Sequence, residues 1–166
     1  MLTCLVAAAV VNAADNWAWP LERGSDPQTY QETVSTGQDS RSAVLDESAT
    51  SEVFPRLILQ CTPGDGDSMR ARIDWRRFIS SFNTDISFTA DSKKRLWLKF
   101  GVDSSNKITL AKSADDTSSL IGYLAGATTL TVRVTPYSES EIEASYDLAG
   151  LDDAITALTA KCGGDH

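Results

Sequence analysis

A chain of 166 residues, 42% hydrophobic and 23% charged, has the balance of one globular domain and leaves little room for a second. Its formal net charge of -8, with a pI near 4.5, argues against a general nucleic-acid binder, which needs an excess of Lys and Arg to displace counterions from phosphate. The same acidity disfavours adhesion to an anionic membrane surface.

The first segment carries its own signal. Residues 2–11 are uncharged and largely apolar, and they give way to Asn12, Ala13, Ala14 and Asp15. A run of about ten residues matches a signal-peptide core and is too short for a membrane span of roughly 20. Val11 and Ala13 satisfy the small-residue rule, so residues 1–13 are expected to be removed as a signal peptide, with cleavage after Ala14 as the alternative. No Lys or Arg precedes the run, which points to a start upstream or a misplaced one. A buried N-terminal strand or helix is the other reading of this segment. Met1-Leu2-Thr3 before Cys4 is not a lipobox. No second apolar run approaches spanning length, so the mature part is expected to be soluble.

Loss of the leader takes Cys4 away and leaves Cys61 and Cys162, an even count for an oxidising compartment. A bridge between them closes a loop of about 100 residues and stabilises by up to about 4.7 kcal/mol in the chain-entropy model. Two independent buried thiols are the alternative. Two cysteines and His166 do not make a zinc ligand set, and no metal or cofactor is expected.

Residues 14–53 read as a polar N-terminal lead anchored by Trp17, Trp19 and Tyr30, with Ser35–Glu52 as a long surface loop. The remainder, 54–166, reads as an antiparallel α+β domain. Leu57–Cys61 is a short apolar strand followed by a Pro63–Asp67 turn. Met69–Trp75 alternates Met69, Ala71, Ile73 and Trp75 with Arg70, Arg72 and Asp74, as a half-buried strand does. Ile86–Phe88 is a further short strand. Arg95–Val102 alternates again and forms a hairpin with Lys107–Ala111 through the turn 103–106.

A helix is predicted over 117–127, with Thr117 or Ser118 as its N-cap. Thr128–Pro136 and Glu141–Leu148 return to strand. The last helix is predicted over 151–162, with Asp152 and Asp153 in its first turn, Lys161 in its last and Gly163 as its stop. Antiparallel strands with two short helices make an α+β fold, sheet- or sandwich-like.

Catalytic constellations are weak. His166 follows a Gly-Gly pair near the end of the chain, and no nucleophile elbow, phosphate loop or zincin motif is present. Asp65/Asp67 read as a glycine-rich turn and Asp152/Asp153 as a helix N-terminus, and these pairs and Asp115/Asp116 are taken as structural, so no catalytic residue is assigned. Eight of the 15 Lys and Arg fall between positions 70 and 99. If the strands 69–75 and 95–102 are neighbours, Arg70, Arg72 and Lys99 share a face. With Trp97 and the adjoining Arg76 and Arg77, they form a surface suited to an acidic partner. An ordinary solvated sheet face is the alternative. Arg76 and Arg77 are expected at the surface, so their reversal to Glu should leave the fold intact.

The chain also resembles a known family. The resemblance is carried by Trp19, Asp26-Pro27, Leu57–Cys61 and Arg72-Ile73-Asp74. Leu130–Tyr137 and Ala144–Ile155, followed by Cys162, carry it most strongly. These are similar to the TagO/VasI family of type VI secretion-associated periplasmic proteins of Gram-negative bacteria. The resemblance implies a non-enzymatic periplasmic accessory protein acting in apparatus assembly, an envelope protein partner, and pairing of Cys61 with Cys162. A stand-alone periplasmic binding or inhibitor module for an envelope enzyme or glycan is the second expectation, and a small envelope hydrolase the third.

Overall fold

The computed structural model describes residues 19–163. The leader with its cleavage site, Cys4, Trp17 and His166 lie outside the described residues. The order along the chain is β1 (Leu21–Ser25), β2 (Glu32–Asp39), β3 (Val44–Leu45), β4 (Glu52–Val53), β5 (Arg56–Thr62) and β6 (Asp65–Asp74). It continues with β7 (Thr84–Ala90), β8 (Leu96–Val102), β9 (Ile108–Leu110), α1 (Ala114–Leu124), β10 (Thr129–Val134), β11 (Ile142–Asp147) and α2 (Leu151–Cys162). The fold is α+β. Nine strands form one sheet in the order β1-β2-β5-β6-β9-β8-β7-β10-β11, with every pairing antiparallel, and β3-β4 is a separate two-stranded ribbon.

The sheet curls around one core. Leu57, Leu59 and Cys61 of β5, Ala71 and Ile73 of β6, Phe88 of β7 and Val132 of β10 all face one buried cluster. The curl brings β11 back towards the end of β2. There the Arg41 amide donates to the Ser145 carbonyl (2.8 Å), and the Ser145 amide donates to the Ser40 hydroxyl (3.1 Å). The Asp147 amide donates to Gln38 Oε1 (3.0 Å), and the Trp19 indole N–H donates to the Asp147 carbonyl (3.0 Å).

Both helices close the open side of the core through Leu120 and Leu124 of α1 and Leu151, Ala154, Leu158 and Cys162 of α2. Cys61 and Cys162 form a disulfide with their α-carbons 5.8 Å apart across 101 residues of sequence. It ties β5 to the last turn of α2. No helix among the described residues is long and apolar enough to cross a membrane.

Three sequence expectations are corrected. Ser35–Asp39 is not loop but the second half of β2, paired with β5. Its inward positions are Val34, Thr36 and Gln38, so only one of three is apolar and the alternation is hidden in composition. The stretch 40–52 holds the small β3-β4 ribbon as well as loop. Helix α1 begins at Ala114, capped by Ser113, whose hydroxyl accepts the Asp116 amide at 3.1 Å. Thr117 is not the cap. It is buried inside the helix, its hydroxyl accepting the Ala71 amide (3.1 Å) and donating to the Ser113 carbonyl (3.3 Å). Finally, the 69–75 and 95–102 segments are not neighbours, because β9 is paired between β6 and β8.

Candidate functional site

The basic residues picked from the sequence do not form one patch. They divide into three groups.

At the end of β6, Arg76 adopts a left-handed backbone (φ 56°), pairs with Asp39 (3.1 Å) and donates to the Phe54 carbonyl (2.9 Å). Arg77 is only 2% exposed, against the expectation of a surface charge. Its guanidinium donates to the carbonyls of Leu45 (2.7 Å) and Phe78 (3.0 Å) and pairs with Glu139. Its burial is compensated by the hydrogen bonds it donates to a β3 carbonyl and a loop carbonyl and by its ion pair. Arg77 is a structural residue.

On β8, Trp97 is 56% exposed, the Arg95 guanidinium lies 5.6 Å from its ring centroid, and Lys99 pairs with Asp85 (3.6 Å). Exposed pairs of this kind contribute little to stability.

The third group, Arg70 and Arg72 on the outer face of β6, stands in a cleft. The turn between β1 and β2, Asp26–Gln31, crosses that face as a strap. Its shape follows from its sequence. Asp26 is an Asx residue whose Oδ1 accepts the amides of Gln28 (2.7 Å) and Thr29 (3.0 Å). The Asp26 amide donates to the Gln31 carbonyl (2.9 Å) and the Tyr30 amide to the Asp26 carbonyl (2.8 Å), with Tyr30 in a left-handed conformation. The tip is held to the β8-β9 turn by Gln28 Nε2 donating to the Ser104 hydroxyl (3.2 Å).

Two cavities lie under the strap. One of about 200 Å³ is lined by Thr29, Gln31, Thr33, Gln60 and Arg70 among others, and one of about 190 Å³ by Pro27, Gln28, Asp103 and Ile108. Asp26, Arg72 and Leu110 line both, so these three residues stand where the two spaces meet.

The electrostatics there are unbalanced. Arg72 Nε is buried without a hydrogen-bond partner, and Arg72 makes no ion pair among the described residues. An unpartnered buried N–H costs about 1–3 kcal/mol, more when charged. Asp26 does not approach within ion-pair distance of it. The Asp26 carboxyl is held below the usual range, first by the backbone N–H groups of Thr29 and Gln28, with the Arg72 charge adding to their effect and desolvation opposing it. Arg70 is committed elsewhere, donating to the carbonyls of Asp67 (2.7 Å) and Met69 (2.8 Å). The side chains of Gln31, Thr33 and Gln60 make no hydrogen bond to another described residue, which leaves polar groups free at the first cavity.

Sequence reasoning found Arg70 and Arg72 but missed Asp26, Gln31 and Gln60. The available signal was Asp26-Pro27 followed by Thr29, an Asx-turn composition that marks a compact turn within the stretch read as polar lead. The acidic pairs serve structure: Asp65 Oδ1 accepts the Asp67 amide (3.1 Å), Asp115 and Asp116 lie in the first turn of α1, and Asp152 Oδ2 accepts the Gly126 amide (3.2 Å). Among the described residues no group of three or more His, Cys, Asp and Glu is placed to hold a metal. No family model matches the chain, and no curated protein or solved structure matches it significantly.

Proposed function

We propose that this chain is an exported, non-enzymatic binding protein of the bacterial periplasm that acts through the cleft beneath the Asp26–Gln31 strap. The observation that carries the binding reading is Arg72, a charged side chain that lines both cavities and makes no ion pair among the described residues. The Cys61–Cys162 bridge supports export, since a disulfide closing so long a loop persists in an oxidising compartment. Assembly of a type VI secretion apparatus is the proposed setting, and it rests on the TagO/VasI resemblance of the β10–α2 segment and of the shorter stretches before it.

The test is a deletion strain complemented with wild-type or Arg72→Glu protein. Loss of effector secretion, restored by wild type and not by the variant, is the expected result. Normal secretion without the gene rules out the type VI setting. Capture of an envelope hydrolase with no apparatus component moves the protein to a stand-alone inhibitor role.

A further inference from the structure

The strap cleft has an unusual charge arrangement. Asp26 and Arg72 line the same two cavities, yet their charged groups do not form an ion pair with each other. Here each is held back by its own element, since Asp26 is fixed by the two strap amides it accepts and Arg72 by its register opposite Ile58 of β5 and Leu110 of β9. A small molecule carrying both signs fits such a gap better than an anion or a cation alone. The first cavity sets Arg70 and Arg72 against Asp26 and the second sets Arg72 against Asp26 and Asp103, so an anion or a cation alone meets a like charge in either.

We infer that the cleft binds the zwitterionic head of a small α-amino acid, with its carboxylate on the Arg72 guanidinium and its ammonium on Asp26. This rests on the reading of the cleft as a binding site and names its ligand class. Arg72 supplies a planar fork suited to a carboxylate. Asp26 still has Oδ2 to offer after its Oδ1 has accepted the strap amides. The space is of the right order, because about 200 Å³ corresponds to roughly seven waters of liquid volume, enough for the head group and a short side chain. Gln31, Thr33 and Gln60 lie along the first cavity to meet a polar side chain, whereas Ile108 and Leu110 give the second cavity an apolar wall.

The experiment is an NMR titration of the oxidised full chain with glycine, L-alanine and D-alanine, set against acetate, methylamine and inorganic phosphate. It reads the amides of 28–31, the amide of Gln60 and the Arg72 Nε resonance. The expected result is saturable shifts at these groups with an amino acid, and at least about tenfold weaker binding of acetate, methylamine and phosphate. Arg72→Gln and Asp26→Asn should each weaken the amino acid about tenfold or more. The side-chain amide introduced by Asp26→Asn still offers a carbonyl oxygen to the strap N–H groups, so the turn is kept. The ranking of probes on the wild-type chain decides the matter even where a variant misfolds. Acetate or phosphate binding as tightly as alanine, shifts confined to other surfaces, or no shift with any amino acid overturns the inference. Intact amino-acid binding in a protein dispensable for secretion sinks only the type VI setting. Loss of secretion in the deletion strain with no amino-acid binding sinks only this inference.

Discussion

Arg77 and Glu139 form an ion pair across 62 residues of sequence, with the arginine almost completely withdrawn from solvent. Because the same guanidinium also holds the carbonyls of Leu45 and Phe78, it joins the β3-β4 ribbon, the loop after β6 and the β10-β11 turn. Arg77→Ala is expected to lower the unfolding free energy by about 3 kcal/mol. Arg76→Ala, next to it but part-exposed and paired at the surface, should cost under about 1 kcal/mol. Urea denaturation of the two variants checks the difference, and equal effects would mean that Arg77 is not the organising residue.

The disulfide joins strand to final helix across 101 residues of sequence. Reduction is expected to lower stability by up to about 4.7 kcal/mol in the chain-entropy model. Matched denaturation curves with and without reductant give the value. An unchanged midpoint would show that the reduced, unfolded chain is already constrained.

Asp91 gives the fold an acid-sensitive point. In a left-handed conformation (φ 49°), it accepts the amides of Thr128 and Thr129 and both of their hydroxyls. These bonds, with the Thr128 hydroxyl foremost, pull its pKa from 3.8 down to about 2. A depressed folded-state pKa means that this contribution is fully present above about pH 4 and lost as pH falls towards 2. Asp91→Asn, which tolerates the same backbone conformation, should flatten the stability profile in that window and leave its shape at higher pH unchanged. Thermal melts at stepped pH follow it.

Gly37 sits where β2 passes closest to β5. A Cβ there would lie 2.8 Å from the Leu57 carbonyl oxygen and 3.1 Å from Arg56 Nε. Gly37→Ala is therefore expected to destabilise by about 1–3 kcal/mol despite the better strand propensity of alanine. Gly66→Ala, whose added atom meets only Gly163 Cα at 3.9 Å, is the control in the same melts.

The strands that alternate in hydrophobicity were legible because each carries its own burial signal, as Met69–Trp75 does. The last helix was legible from its Leu151/Ala154/Leu158 stripe and its end charges. Strand β2 was not, since Thr36 and Gln38 face inwards where a reader expects apolar side chains. The start of α1 slipped by one turn because Thr117, a plausible cap by type, is consumed by a bond to Ala71 that only the tertiary arrangement reveals. For the cleft, sequence supplied the arginines but not their surroundings. Charge clustering along a chain says nothing about β9 passing between β6 and β8, about Arg77 turning inwards, or about a turn from the polar lead lying over Arg72.

The meeting of β11 with the end of β2 has a mechanical meaning. The strands are joined there by serine hydroxyls, a glutamine amide, one main-chain bond, the Trp19 indole and an Arg41–Asp147 ion pair (3.4 Å), in place of a regular strand ladder. Such a seam can part while every strand keeps its regular neighbour. Amide protons at Ser145 and Asp147 should thus trade with deuterium before those at the centre of β10, marking the line along which the molecule first breathes.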